Sequence, residues 1–258
     1  MNRLIKGDCL KVLDKIDKGS VDLVFADPPF NIGYKYDTYD DNRSKEDYLS
    51  WTNTWLNKVT KVIKPNGSIY IAIGDDYVAH IKLKLDDLGL TMRNWIIWHY
   101  TFGVSCKNKF NRSHTHILYY VKDKNDFTFN YLDPKVRIPS ARSTVYKDKR
   151  ANSIGKLPDD TWIIRSKEDG EFFREDSDTW LISRICGTFK ERTEHPCQMP
   201  EKILERIIRV SSNQGDTVLD PFAGSGTTLV AAKKLKRNFI GIELSEKYIE
   251  IINFRLKN

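Results

Sequence analysis

The chain has 258 residues, 40% of them hydrophobic and 30% charged. That supplies a sizeable core and excludes a disordered tail or a fibre. No apolar run reaches the roughly 18 to 20 residues a bilayer crossing needs. The start, Met-Asn-Arg-Leu-Ile-Lys-Gly-Asp-Cys, also lacks the apolar stretch of a secretory signal. The expectation is a cytoplasmic protein with no membrane partner. Cys9, Cys106, Cys186 and Cys197 form no close C-x-x-C pair, which speaks against a disulfide framework or a ribbon-type zinc site.

In chain order, Leu4-Ile5 is a short apolar segment, and a helix is predicted over 9–18. Val21-Asp22-Leu23-Val24-Phe25-Ala26 reads as a strand buried on both faces, stopped by Asp27-Pro28-Pro29-Phe30, where two prolines forbid further ladder pairing. Tyr48, Trp51, Trp55, Leu56, Val59 and Val62-Ile63 recur at helical spacing across 45–63, followed by a turn at Lys64-Pro65-Asn66-Gly67 and a buried strand from Ser68 to Ile73. A helix over 76–88 and strands near 91–99 and 115–122 follow. Residues 125–190 lose periodicity and carry two Asp-Thr-Trp triplets, at 160–162 and 178–180. They read as a segment inserted into one domain made of 1–124 and 191–258 and packed on its main sheet. After Pro200 the pattern is helix (Ile203 to Ile208), strand (217–219), glycine turn, helix (229–235), strand (239–242) and a last helix. Alternation of this kind predicts an α/β fold with a mostly parallel sheet covered on both faces.

The formal net charge of +7 is unevenly spread. Between Lys107 and Lys156, twelve lysines and arginines face only Asp123, Asp126, Asp133 and Asp148. Phe110, Tyr119, Tyr120, Phe127, Phe129, Tyr131 and Tyr146 interleave them, the mixture of cations and stacking groups that a polyanion-binding surface needs. Lys107, Lys109, Arg112, Arg137, Arg142, Lys147, Lys149 and Arg150 are the candidate DNA contacts.

Asp220-Pro221-Phe222-Ala223-Gly224-Ser225-Gly226-Thr227-Thr228 runs from a strand through glycines into a helix, where absent Cβ atoms let a ligand approach the backbone. Glu243 ends the next strand, placed to accept both hydroxyls of a ribose. The glycines are not followed by the lysine of a P-loop, and Leu229 stands where a dinucleotide site would want a third glycine. A nucleoside without phosphates remains, and S-adenosylmethionine is the obvious one. At the other motif, a carboxylate and a carbonyl that accept both N–H bonds of an exocyclic amine would localise its lone pair toward an incoming methyl group. Asp27 and the Pro28 carbonyl can do this while Pro29 stiffens the turn and Phe30 stacks on the base. A base inside a duplex would first have to be flipped out.

These motifs, together with Gly7-Asp8-Cys9, Lys64-Pro65-Asn66-Gly67 and His195-Pro196-Cys197-Gln198-Met199-Pro200, resemble the amino-group DNA methyltransferases over nearly the whole chain. The catalytic motif precedes the cofactor motif, as in the circularly permuted β-group. The resemblance implies the Rossmann-like S-adenosylmethionine-dependent methyltransferase fold with an antiparallel hairpin. It also implies that Phe222, Ala223, Gly224, Ser225, Gly226 and Thr227 line the methionine and adenosine, and that Glu243 holds the ribose. Asp8 and Cys9 would lie against the adenine, and His195-Pro196 would close the pocket. Residues 125–190 match the target-recognition region by position. Where the family often has His-Glu, this chain has His114-Thr115-His116. The expected activity is methyl transfer to adenine N6 in double-stranded DNA, because the motif begins with Asp rather than the Ser more usual in cytosine-N4 enzymes. Cytosine N4, and less readily an RNA or protein amide, are the alternatives. A homodimer through an apolar helix face and a cognate restriction endonuclease are compatible with the same reading.

Other chemistries fit less well. Pro196-Cys197-Gln198 mimics the thiolate motif of carbon-5 cytosine methyltransferases, but it precedes the glycine turn and no Glu-Asn-Val follows. His114-x-His116 and His195-x-Cys197, with Cys106 and Cys186, fit no closed zinc spacing, so no metal is expected. An NAD-dependent oxidoreductase is disfavoured by the missing third glycine, and a silent DNA reader by the intact Asp-Pro-Pro-Phe.

Overall fold

The computed structural model describes residues 2–100, 106–144, 146–162, 193 and 197–257. Its strands are β1 (Arg3–Lys6), β2 (Val21–Ala26), β3 (Ile63–Ile73), β4 (Thr91–His99), β5 (His114–Val121), β6 (Thr161–Trp162), β7 (Thr217–Asp220) and β8 (Asn238–Glu243). Its helices are α1 (Cys9–Leu13), α2 (Lys45–Val62), α3 (Asp75–Asp87), α4 (Ala141–Thr144), α5 (Glu201–Ser211), α6 (Thr227–Lys234) and α7 (Glu246–Lys257). The strands form one sheet in the order β1-β8-β7-β2-β3-β5-β4-β6. All neighbours are parallel except β5, which runs antiparallel to both β3 and β4. This is the mostly parallel α/β sheet with a hairpin that the alternation predicts.

Period-two side chains make β2 the centre of two cores. Val24 and Ala26 point into a layer with Trp55, Leu56 and Val59 of α2 and Val78 and Ile81 of α3. Leu23 and Phe25 point into the opposite layer with Ile203, Leu204, Ile207 and Ile208 of α5 and Leu229 and Ala231 of α6. Each fully buried large side chain of this kind contributes about 1.5–3 kcal/mol. Ser44 starts α2 by accepting the Asp47 amide at 3.1 Å, one of the orphan donors a helix start leaves.

Two local expectations need correction. The first helix stops at Leu13 rather than running to residue 18, because beyond Ile16 only Asp17-Lys18-Gly19 follow and Gly19 turns the chain at φ 63°. Lys64-Pro65-Asn66-Gly67 does not separate helix from strand but lies inside β3. There β2 pairs Val21 with Ile63 and then Leu23 with Ser68, so the extra residues bulge out of the ladder between two points of register. Leu4-Ile5 belongs to an edge strand, β1, paired with β8.

From the inserted stretch, Phe127 and Phe129 pack on the second core, and Val136 and Ile138 are buried. The Asn130 amide donates to the Arg209 and Ser212 carbonyls at the end of α5, each at 2.9 Å. β6, holding the first Asp-Thr-Trp triplet's last two residues, extends the sheet beside β4. Residues 163–190, with the second triplet and Cys186, lie outside the described residues. Among the described residues no helix is long and apolar enough to cross a membrane.

Candidate active site

The parallel strands β1, β8, β7, β2 and β3 all end at one edge of the sheet, and antiparallel β5 begins there. Their last residues and the loops beyond them, Gly7-Asp8-Cys9, Glu243, Asp220, Asp27 to Phe30, and Gly74, surround a cavity of about 790 Å³. Ligands bind in the crevice at this edge of open α/β sheets. The two motifs, remote in sequence, meet because β7 pairs directly with β2, Leu23 to Val218 and Val24 to Leu219.

At one end of the cavity the glycine turn is held from several sides. Gly224 has φ 51° and donates its amide to Glu243 Oε2 at 2.8 Å. Gly226 has φ 76°, and a Cβ there would stand 2.8 Å from Ile252 of α7. Only glycine suits that left-handed, crowded position. Ala223 donates to the Ile242 carbonyl at 2.9 Å, and Arg255 of α7 donates to the Ser225 carbonyl at 2.7 Å. Glu243 Oε1 accepts the Leu244 and Ser245 amides, both at 2.8 Å, so this carboxylate orders two loops while facing the cavity. The Phe222 ring stands against Trp55 and Trp51, centroids 5.2 and 5.5 Å away. Asp8 caps α1 through the Leu10 amide at 2.7 Å. Beside it, burial pushes the Cys9 thiol up to about 12, which keeps it neutral.

Asp27 and Asp220 stand at the ends of neighbouring strands. Burial pushes Asp27 up to about 8, with the Asp220 charge adding to the effect. Burial pushes Asp220 to about 7, while hydrogen bonds from Thr228 and the Phe222 amide pull the other way. Burial is also the main cause that raises Glu243. Three carboxylates and the faces of Trp51 and Phe222 around one cavity would attract a sulfonium and an ammonium and would repel phosphates. That donor set fits S-adenosylmethionine.

At the other end, Pro28 is buried, and the Pro29 carbonyl accepts the Tyr48 hydroxyl at 2.7 Å, which fixes the diproline turn. The Phe30 ring lies over Gly74, where a Cβ would meet it at 3.3 Å. Asp41, 1% exposed, accepts the Asn31, Ile32 and Tyr34 amides and so holds the loop that leaves Phe30. Next to Gly74, Asp75 is the hub of a network. His116 Nδ1 accepts the Trp95 indole N–H at 2.9 Å, which places the imidazole proton on Nε2, 2.9 Å from Asp75 Oδ1. His114 Nε2 is 3.3 Å from the same oxygen, and Arg112 Nε is 2.7 Å from Asp75 Oδ2. Burial, above all, lowers the pKa of His116. Asp75, His114 and His116 bring their ligand atoms within 4.8 Å of one another, but with its proton on Nε2 His116 serves a hydrogen-bond chain rather than a metal.

The other sequence candidates divide. Lys109 and Arg112 line the cavity and Lys107 is exposed beside them. Arg137 is engaged inside the inserted stretch, donating to the Gly155 and Tyr131 carbonyls. Arg142 and Arg150 share Asp148, whose carboxyl they hold well below the usual range, and Lys147 and Lys149 are exposed nearby. His195 and Pro196 lie outside the described residues, while Cys197, Gln198 and Met199 line the cavity. The motif reading does not single out Asp220, although it opens the glycine motif. Nor does it single out Tyr34, Tyr36 and Tyr39, which line the cavity. The Tyr36 hydroxyl is hydrogen-bonded to Cys197, and its pKa is raised chiefly by burial. The signal for these tyrosines is the aromatic-acidic run directly after Asp-Pro-Pro-Phe.

A family model described as DNA methylase, N6_N4_Mtase, matches residues 21–254. The chain is 38% identical to the Type II methyltransferase M.HpaI of Haemophilus parainfluenzae over 98% of its own length and 74% of that protein's. It is 34% identical to the DNA adenine methyltransferase YhdJ of Escherichia coli (strain K12), covering 96% of this chain and 80% of the other. Among solved structures, a DNA modification methylase from Thermus thermophilus complexed with S-adenosyl-L-methionine superposes with a TM-score of 0.63 at 26% identity, over 99% of this chain and 95% of that one. The cytosine-N4-specific PvuII DNA methyltransferase superposes with a TM-score of 0.69 at 18% identity, over 98% and 85%, a likeness of fold.

Proposed function

The chain belongs to the N6/N4 DNA methylase family, S-adenosylmethionine-dependent DNA methyltransferases, and on that premise we propose that it methylates the N6 amine of adenine in double-stranded DNA after extruding the base. The observation that carries this reading is Asp27, set at the end of β2 by a diproline turn and opening into the same cavity as the glycine turn and Glu243.

S-adenosylmethionine, when bound, supplies an electrophilic methyl group on its sulfonium. Phe222 to Thr227, with Asp8, Cys9 and Glu243, would hold it. Asp27 and the Pro28 carbonyl accept the two N–H bonds of the amine, which turns its lone pair toward the methyl group. Phe30 stacks on the base. The raised proton affinity of Asp27 lets the same carboxylate hold the proton the nitrogen releases after transfer. Residues 125–190 serve as the target-recognition region, carried by the catalytic domain of 1–124 and 191–258. The resemblance to a Type II methyltransferase supports a role opposite a restriction endonuclease that cuts the same sequence.

The test is incubation of the purified protein with unmethylated genomic DNA and isotopically labelled S-adenosylmethionine, followed by digestion to nucleosides and mass spectrometry. Labelled N6-methyladenine is the expected product. N4-methylcytosine would overturn the choice of base and keep the mechanism. Absence of label from DNA would overturn the proposal.

A further inference from the structure

We propose that Phe110 is the wedge that enters the DNA base stack and fills the gap left by the extruded target nucleotide, with Lys107 and Lys109 on the flanking phosphates. The inference rests on the base-extrusion reading above and names the surface that acts on the duplex.

Single exposed apolar side chains are ordinary on protein surfaces; the placement of this one is not. Phe110 is 99% exposed, more than any other large apolar side chain among the described residues. It stands near the end of a short loop that the Asn111 side chain closes by accepting the Cys106 amide at 2.8 Å. Cys106, Lys109 and Arg112 of that loop line the cavity that holds Asp27 and Phe30. The loop is fastened at its base. Arg112 is bound to Asp75 at 2.7 Å and to Asp76 at 3.3 Å, and Asp75 is held in turn by the Trp95–His116 chain. An Arg112 Nη1 and the Phe30 ring both lie within 3.8 Å of the point where a Gly74 Cβ would be. The stem of the loop therefore rests on the residue that stacks on the extruded base, and its aromatic tip projects into solvent beside the opening.

The chemistry of the partner matches this arrangement. Extruding a nucleotide opens a flat apolar slot between two base pairs, bordered on both strands by phosphates. A flat ring flanked by lysines complements that slot, because stacking is indifferent to base identity and the cations meet the backbone. Inserted, the ring stabilises the extruded state and makes return of the base less favourable.

The experiment uses the full-length protein and a duplex carrying the methylated sequence, identified from the methylation pattern the enzyme leaves on genomic DNA. Phe110→Ala is expected to lower kcat/KM on the fully paired duplex by about ten- to a hundredfold, the scale of lost base–aromatic stacking. It should leave cofactor affinity unchanged. On a duplex whose target base faces an abasic site, where extrusion is easy, most of the loss should disappear, and Phe110→Trp should restore activity on the paired duplex. Full activity of Phe110→Ala on the paired duplex, an equal loss on both duplexes, or failure of Phe110→Trp to restore activity would each overturn the wedge. A fluorescent base analogue at the target position separates the two ideas. If the wild-type protein produces no rise in its emission, extrusion itself fails; a rise with the wild type that Phe110→Ala loses supports the wedge.

Discussion

The two ends of the cavity are built differently. At the cofactor end, the backbone does the holding: Gly224 and Gly226 in left-handed conformations, amides of Gly224, Leu244 and Ser245 on one carboxylate, and α7 locked behind the turn. At the acceptor end, side chains do it, with Arg112, His114, His116 and Trp95 gathered round Asp75 and a solvent-facing Phe110 beyond. A small ligand of fixed shape can be met by rigid backbone, whose groups cost little ordering entropy on binding. A duplex that must be bent open needs long side chains on a loop with a firm base.

Asp27 belongs to both ends, and its removal should have the largest effect. Asp27→Ala should lower methyl transfer by on the order of 10²- to 10³-fold or more, as when a group that stabilises only the transition state is lost. Calorimetry should find cofactor affinity close to that of the wild type. Retained turnover would mean that the acceptor end does not organise the amine as described.

The backbone character of the cofactor end is tested by Gly226→Ala. The new Cβ would meet Ile252 at 2.8 Å in a left-handed conformation, so stability should fall by about 1–3 kcal/mol, with weaker cofactor binding. Gly215→Ala has a similar φ, 88°, but open space around the new Cβ, and should lose less in thermal denaturation. Equal losses would show that dihedral strain alone, and not the packing of α7 on the turn, governs this end.

Charge separates the ends by pH. With Asp27 raised to about 8, kcat/KM should climb as pH rises through that region, since the carboxylate is the form that accepts the amine's hydrogen bonds. The limb for kcat should lie lower, because a bound cation favours the ionised carboxylate. Stability runs the opposite way. The folded pKa lies above the unfolded one, so this group's favourable contribution is complete below the unfolded value and is lost as pH rises through about 8. Asp27→Asn should therefore raise the melting temperature of the cofactor-free protein at pH 9, with the difference shrinking toward acid.

The smallest effect is expected at the hub of the acceptor end. Asp75→Asn weakens the hold on Arg112 without touching Asp27, so kcat/KM for DNA should drop by about tenfold, the worth of one charge-assisted hydrogen bond. Cofactor affinity should stay unchanged. A drop in cofactor affinity would join the two ends that the structure keeps apart.

Most of the cofactor end was legible as a linear motif, since its glycines, Phe222 and the Asp220 that opens it are consecutive and Glu243 follows one helix later. Asp-Pro-Pro-Phe was legible for the same reason: a strand ending, two prolines and an aromatic ring have local meanings. The alternation of strands and helices also determined the fold class, because a buried parallel strand and an amphipathic helix carry different periodicities. What the tertiary structure alone decided is adjacency. Pairing of β7 with β2 sets Asp220 beside Asp27 and couples their charges, and β5 running antiparallel beside β3 brings His114, His116 and Arg112 onto Asp75. The same packing turned Arg137 inward, to carbonyls of its own stretch. Periodicity and composition report what a residue's neighbours in the chain require of it. Which strand lies next to which is settled by how two apolar layers close over one sheet, and the chemistry of the site depends on that closure.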